Sequence, residues 1–128
     1  MSQEIRFVET STAPAAVGPY SQAVAVGGLL FVSGQIPLVP ETGQMVADDF
    51  GSQVQQVLRN VDAILVAAGS HRNRVVRVTV FLTDMSRFGE LNEIYSRFFG
   101  EHRPARAAIQ VLALPRGAQV EIDAVAAL

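Results

Sequence analysis

Residues 48–69, DDFGSQVQQVLRNVDAILVAAG, and residues 75–82, VVRVTVFL, are the two segments that decide the fold. In the first segment, apolar residues recur with the period of an α-helix and form one face: Phe50, Val54, Val57, Leu58, Val61, Ile64, Leu65 and Ala68. Asp48 and Asp49 precede the first turn and Gly69 follows the last, and these are start and stop signals of a helix. The second segment is continuous and rich in β-branched residues, so it predicts a central strand buried on both faces.

On the N-terminal side of this helix, short apolar segments alternate with turn formers and predict a β-meander. Three short strands are expected there, at residues 5–8, 23–26 and 29–32. A loop at residues 13–22 joins the first two strands, and a second loop runs from Ser33 to Gly43.

On the C-terminal side, a second helix is expected from about Ser86 to Gly100, followed by strands within residues 104–112 and 119–126. Helical crossovers between strands predict right-handed units with parallel neighbours. We therefore expect one α+β domain over residues 1–128, with a mixed sheet and both helices on one face. The other face then still has apolar surface to cover, and association with other copies of the chain would cover it.

Composition narrows the function classes. The 128 residues carry a net charge of −2, and the ten basic residues form no run, which disfavours nucleic acid as a partner. Cysteine is absent, and His71 and His102 lack metal-ligand spacing, so no metal site is expected. The N-terminal MSQEI has no basic region before an apolar stretch, and no segment reaches the roughly 18 apolar residues of a membrane span. These features predict a cytoplasmic protein without membrane contact.

Two ionisable residues lie inside apolar, strand-like runs: Arg106 in PARAAIQVL and Glu121 in QVEIDAVA. A charge in such a setting loses several kcal/mol of hydration unless a partner replaces the water. One interpretation is an Arg–Glu pair that bridges strands or subunits. The other is an anion-binding pocket in which the guanidinium holds a carboxylate and Glu121 handles water. In a simple hairpin the two residues would be roughly 16 Å apart, so a pair would need a subunit interface or a longer crossover.

Four further residues are candidates for a pocket: Tyr20, Ser33, Gly34 and Asn92. Tyr20 follows the Gly18-Pro19 turn, and Ser33-Gly34 ends a buried strand with a hydroxyl and an approachable backbone N–H. Both features also occur for structural reasons alone. Asn92 lies near the edge of the apolar face of the second helix, where its amide needs partners. A helix cap or a helix-to-loop hydrogen bond is the alternative interpretation of Asn92.

Eight segments occur in order along nearly the whole chain: VGPYSQA (17–23), FVSGQIP (31–37), TVFLTDM (79–85), NEIY (92–95), FF (98–99), PAR (104–106), LP (114–115) and VEID (120–123). With these segments the chain resembles the reactive-intermediate deaminase (RidA) family, formerly the YjgF/YER057c/UK114 family. The resemblance implies a chorismate-mutase-like α+β fold. It also implies a homotrimer with a barrel-like core of three sheets and a ligand cleft at each subunit interface.

The resemblance also implies roles for individual residues. The carboxylate-binding arginine of the family falls on Arg106 and its water-handling glutamate on Glu121. Other pocket positions fall on Tyr20, Ser33, Gly34, Asn92 and Ala108. Where many members have Ser-Cys after the arginine, this chain has Ala107-Ala108, so a pocket thiol is missing. The approach to Pro104 through residues 101–103 is also shorter than the usual loop.

The implied reaction is hydrolysis of a 2-imino acid, formed from an enamine such as 2-aminoacrylate or 2-aminocrotonate, to a 2-keto acid and ammonia. It requires no metal or organic cofactor. A non-catalytic trimeric binder or sensor of small carboxylates is the alternative, and the missing thiol favours it. Endoribonuclease activity is a third possibility, which the net negative charge and the lack of a basic stripe disfavour.

Overall fold

The computed structural model describes residues 4–128, in which two α-helices pack on one face of a six-stranded sheet. The strands are β1 (Arg6–Val8), β2 (Ala23–Val26), β3 (Leu29–Gln35), β4 (Val75–Leu82), β5 (Ala105–Gln110) and β6 (Val120–Ala127). The helices are α1 (Phe50–Ala67) and α2 (Phe88–Phe99). Residues 1–3, which contributed to the expectation that a targeting segment is absent, lie outside the described residues.

The strand order is β1-β2-β3-β6-β4-β5, and the sheet is mixed. Every neighbouring pair is antiparallel except β4 and β5, which are parallel. The N-terminal meander and the parallel pair joined through α2 are confirmed. The expectation of parallel neighbours is wrong for the crossover through α1, because β6 lies between β3 and β4 and pairs with both. The last strand thereby completes the hydrogen bonding of two strands that would otherwise be edges.

Helix α1 begins and ends where the sequence indicated. The side chain of Asp49 accepts a hydrogen bond from the backbone N–H of Ser52 (3.0 Å), which is the usual N-cap arrangement. Gly69 follows the C-cap with a φ of 87°, a value that favours glycine. The apolar face of α1 packs against the sheet, and its buried members include Val54, Val57, Val61, Ile64 and Leu65.

Two strand predictions need correction. Strand β4 is buried on one face only: Val78 and Val80 are covered, whereas Thr79 and Phe81 on the other face are half-buried. Its apolar sequence indicated two covered faces, but this chain covers only one. Strand β3 extends to Gln35 instead of ending at Val32, with an irregular register between these residues. The segment Ser33-Gly34-Gln35, expected to open a loop, is therefore part of the strand.

We call the side of the sheet away from the helices the open face. Residues directly opposite one another on paired strands share a face, and the pairing connects Phe7, Val24, Phe31 and Val125 in one row across it. Phe7 is 69% exposed, Phe31 44% and Ile109 44%. A row of exposed aromatic and aliphatic side chains on a central sheet is typical of an interaction surface.

No helix between residues 4 and 128 is both long and apolar enough to cross a membrane.

A buried amide fixes the N-terminal loop to the sheet. Gln22, at the start of β2, accepts from the backbone N–H of Thr10 (2.7 Å). It donates to the carbonyl oxygens of Thr10 (3.0 Å) and Pro14 (2.8 Å). These bonds set the path of the loop that carries Tyr20.

We predict that Gln22→Ala lowers the free energy of unfolding by about 1–3 kcal/mol, because it leaves buried backbone groups without partners. Urea denaturation at fixed protein concentration measures the change. Gln55→Ala makes the same chemical change at an exposed position of α1 and is the control, with an expected change within about 0.5 kcal/mol. Equal stability of the two variants would show that the Gln22 amide does not hold the loop.

Candidate functional site

The predicted site residues lie on both faces of the sheet. Arg106 on β5 is opposite Val78 of β4, which faces the helices. Glu121 on β6 is opposite Phe81 of β4, on the open face. Strand β4 separates the two residues, and no Arg106–Glu121 ion pair exists within the described chain. A single chain therefore does not bring the guanidinium and the carboxyl into one pocket.

Arg106 lies at the edge of the sheet beside α2. Its Nη1 donates to Oδ1 of Asn92 (2.8 Å), and its guanidinium carbon lies 4.8 Å from the ring centroid of Tyr95. Neither interaction supplies a negative charge. The expectation that its apolar run buries Arg106 is wrong for the isolated chain, because β5 is an edge strand and the side chain is exposed. The result is an oriented guanidinium that has no carboxylate partner within residues 4–128.

The amide of Asn92 thus has a definite role. Within the described part of the chain its side chain forms neither a helix cap nor a helix-to-loop bond, and its oxygen instead accepts from Arg106. The two residues share a cleft of about 440 Å³ with Tyr95, Ser96, Arg103 and Pro104. Ala108, two residues after Arg106 on the same face of β5, packs against the core.

Glu121 faces Gly34 across the β3–β6 pair. A Cβ atom at position 34 would overlap the Glu121 carboxyl, so the absence of a side chain there makes room for it. Glu121, Gly34 and Tyr20 line a second cleft of about 420 Å³. Its remaining wall is mainly apolar and includes Val17, Ile36, Leu38 and Pro115.

Ser33 does not line this cleft. Its Oγ donates to the carbonyl of Ser21 (2.6 Å), and its backbone N–H donates to the carbonyl of Gln22 (3.0 Å). The hydroxyl proton is therefore already used, and Ser33 fixes the segment that follows Tyr20. Tyr20 itself is 53% exposed at the mouth of the cleft, after a turn at Gly18 with φ 127°.

The electrostatic environment of Glu121 favours its protonated form. Burial raises the pKa of its carboxyl above the ordinary value, and the neighbouring Asp123 carboxylate raises it further. Asp123 also has a raised pKa because of burial, against the opposing hydrogen bonds from Thr79. A carboxyl whose pKa is moved toward neutrality is suited to taking and returning a proton.

The cleft residues that were not singled out from the sequence as pocket residues include Tyr95, Arg103 and Arg116. Tyr95 is buried, and its hydroxyl has no hydrogen-bond partner within residues 4–128. Its position one helical turn after Asn92 was the available signal. Arg103 and Arg116 lie outside the regular elements, where sequence periodicity carries no information. Across residues 4–128, no group of three or more His, Cys, Asp or Glu side chains is arranged to hold a metal ion.

Comparison with known proteins connects this architecture to a family. The family model described as Endoribonuclease L-PSP matches residues 10–128. A RutC family protein of Pyrococcus abyssi is 48% identical over 98% of both chains. The 2-iminobutanoate/2-iminopropanoate deaminase of Mus musculus is 51% identical over 98% of this chain and 94% of its own length.

Solved structures agree with the sequence relatives. RidA from an Antarctic Psychrobacter species superposes with a TM-score of 0.93 at 46% identity, covering 96% of this chain and 99% of that one. Its agreement confirms the expected YjgF-type fold of two helices against a mixed sheet. With a family model that covers most of its length and relatives that align from end to end, the chain belongs to the Endoribonuclease L-PSP family, which includes the RutC and RidA proteins.

Proposed function

We propose that this protein is a deaminase that hydrolyses small 2-imino acids, formed from enamines such as 2-aminoacrylate or 2-aminocrotonate, to 2-keto acids and ammonia. The observation that carries the proposal is the pair of complementary clefts. One presents an oriented guanidinium without a counter-charge, and the other a half-buried carboxyl with a raised pKa. The deaminase name of the mouse relative supports the same chemistry.

The two clefts act together only between copies of the chain, since they lie on opposite faces of one sheet. We propose a homotrimer in which Arg106 and Asn92 of one subunit meet Tyr20, Gly34 and Glu121 of the next. The exposed apolar row of the open face supports this association. Each interface should bury at least the roughly 1,000 Å² expected of a specific contact.

The substrate is anchored by its carboxylate. A guanidinium fork matches two carboxylate oxygens, and Asn92 uses only one N–H of Arg106, so the other donors are available. Tyr20 and the backbone of Gly34 position the imine and the water. Ser33 contributes indirectly, by holding the Tyr20 segment through its bond to Ser21.

Glu121 then moves the protons. As the water oxygen bonds to the imine carbon and the C=N π bond opens toward nitrogen, the Glu121 carboxylate takes one proton from the water and passes it to that nitrogen, which gives a carbinolamine. Glu121 then takes the proton of the carbinolamine hydroxyl and passes it to the amino nitrogen, so the C–N bond breaks, ammonia leaves and the keto group remains. Such imines also hydrolyse unaided, so positioning and acid–base assistance are sufficient and no cofactor enters the scheme.

Glu121→Gln tests the catalytic role, because it keeps size and hydrogen bonding but removes basicity. We expect keto-acid formation to fall at least about 10²-fold while 2-ketobutyrate still binds. Imines are generated in situ by an amino-acid oxidase, and keto-acid release is followed. Asp123→Asn is the matched control on the same strand and face, and it should lose much less activity because Asp123 does not line the cleft. Full turnover by Glu121→Gln would refute the catalytic role of Glu121, whereas a native protein that binds 2-ketobutyrate without accelerating keto-acid release would favour a carboxylate sensor.

The same substitution has an expected pH signature in stability. The pKa of Glu121 is raised in the folded state. As the pH rises above the ordinary pKa of a glutamate, ionisation of Glu121 therefore lowers the free energy of unfolding. Glu121→Gln removes this penalty, so its free energy of unfolding at pH 7 should equal or exceed that of the native protein. The difference should disappear below about pH 4.

Urea denaturation at pH 4 and pH 7 measures this dependence, with Glu93→Gln at an exposed position of α2 as the control. Loss of stability at pH 7 alone would mean that Glu121 is paired with a cation.

Subunit mixing tests whether the site is shared. Arg106→Ala and Glu121→Gln chains should each form inactive trimers. After equal mixing and reassembly, about one quarter of the interfaces carry both native residues, so roughly that share of activity should return. Native mass spectrometry of mass-tagged chains verifies mixed trimers, and each variant reassembled alone is the control. Mixed trimers without recovered activity would place both residues in one subunit's site, and a monomer would refute the assembly.

A further inference from the structure

Arg116 holds an unusual backbone conformation in the cleft that also contains Glu121. Within residues 4–128 it is the one residue other than glycine with a positive φ, at φ 61° and ψ 19°. Residues with a Cβ resist this left-handed region, whereas glycine adopts it freely. Strained backbone of this kind clusters at functional sites, where the surrounding structure holds it in place.

The side chain of Arg116 lies at the wall of the cleft that contains Glu121 and Tyr20. Its Nη1 donates to the carbonyl of Gly43 at 3.3 Å, which is near the upper limit for such a bond. It forms no ion pair with any acidic residue in the described chain, and it is not among the groups that perturb Glu121. This guanidinium is therefore weakly held, exposed and without a counter-charge.

The rest of this cleft is suited to a hydrocarbon chain. Val17, Ile36, Leu38 and Pro115 are apolar and line the same 420 Å³ volume. A ligand in this cleft would therefore meet both an apolar surface that accommodates methylene groups and the guanidinium of Arg116. A carboxylate there would pair with Arg116 through two parallel hydrogen bonds.

We infer that Arg116 is a specificity-determining residue that selects 2-imino acids carrying a second carboxylate on their side chain. The first carboxylate of such a substrate would bind Arg106 of the adjacent subunit, and its distal carboxylate would bind Arg116. This inference rests on the proposed deaminase function. It adds the substrate class, which the reaction itself leaves open.

The experiment compares two substrates in one protein. Imines of a five-carbon amino dicarboxylic acid and of 2-aminobutyrate are generated in situ, and kcat/KM is measured for each. The native protein should prefer the dicarboxylic imine. In Arg116→Gln, which keeps a donor for Gly43 but removes the charge, this preference should fall at least tenfold through KM. Arg116→Lys should retain part of it. Arg59→Gln, at an exposed position of α1, is the matched control and should keep the native preference.

Binding provides a second readout that does not depend on turnover. Calorimetry with 2-oxoglutarate and 2-ketobutyrate should show the same loss of preference in Arg116→Gln. A native protein that hydrolyses 2-iminobutanoate without preferring the dicarboxylic imine would overturn this inference and leave the deaminase function intact. An equal loss for both substrates, or weakened subunit association, would make Arg116 a structural clamp. Absence of any imine turnover, with the preferential binding retained, would refute the deaminase function alone.

Discussion

The register of β6 between β3 and β4 is the constraint on which the rest of the structure depends. Its side chains alternate strictly, so that Val120, Ile122, Ala124 and Ala126 enter the core beneath the helices. Glu121 and Asp123 then face the other side. A slip of one residue in the pairing of β6 would exchange the two sets of side chains. The two carboxyls would then enter the core, and the four apolar side chains would be exposed. The hydrophobic effect on one face therefore fixes the position of the Glu121 carboxyl on the other.

Because the helices cover only one face of the sheet, Arg106 and Glu121 lie in two different environments. Arg106 belongs to the covered side, where Asn92 and the Tyr95 ring of α2 orient it at an edge strand. Glu121 belongs to the open side, where burial is partial and its pKa is raised. In the proposed trimer the same apolar face both drives association and closes the site. Folding, assembly and formation of the pocket would then depend on one surface.

Much of this arrangement could be predicted from local pattern. The helical period of the apolar residues and the Asp49 cap predict α1. The position of Arg106 and Glu121 inside apolar runs indicates that both are candidate site residues. Insertion of β6 between β3 and β4 could not be predicted, because it is a non-local pairing that leaves no local signal. The burial of β4 on one face only could not be predicted either. Its largely apolar sequence indicates two covered faces, although this chain covers only one of them. Arg116 could not be predicted as a site residue, because its positive φ and its position in the cleft of Glu121 are visible only in the folded structure.

The contact between Gly34 and Glu121 has a consequence for engineering. The backbone of Gly34 lies outside the left-handed region, and the three atoms nearest to a Cβ there all belong to the Glu121 side chain. Positions 34 and 121 are therefore coupled, and their substitutions should be non-additive. In a library that varies one position at a time, any side chain at position 34 would displace the Glu121 carboxyl. A library that varies both, pairing a small side chain at 34 with a shorter one at 121, would recover folded proteins and open this strand to redesign.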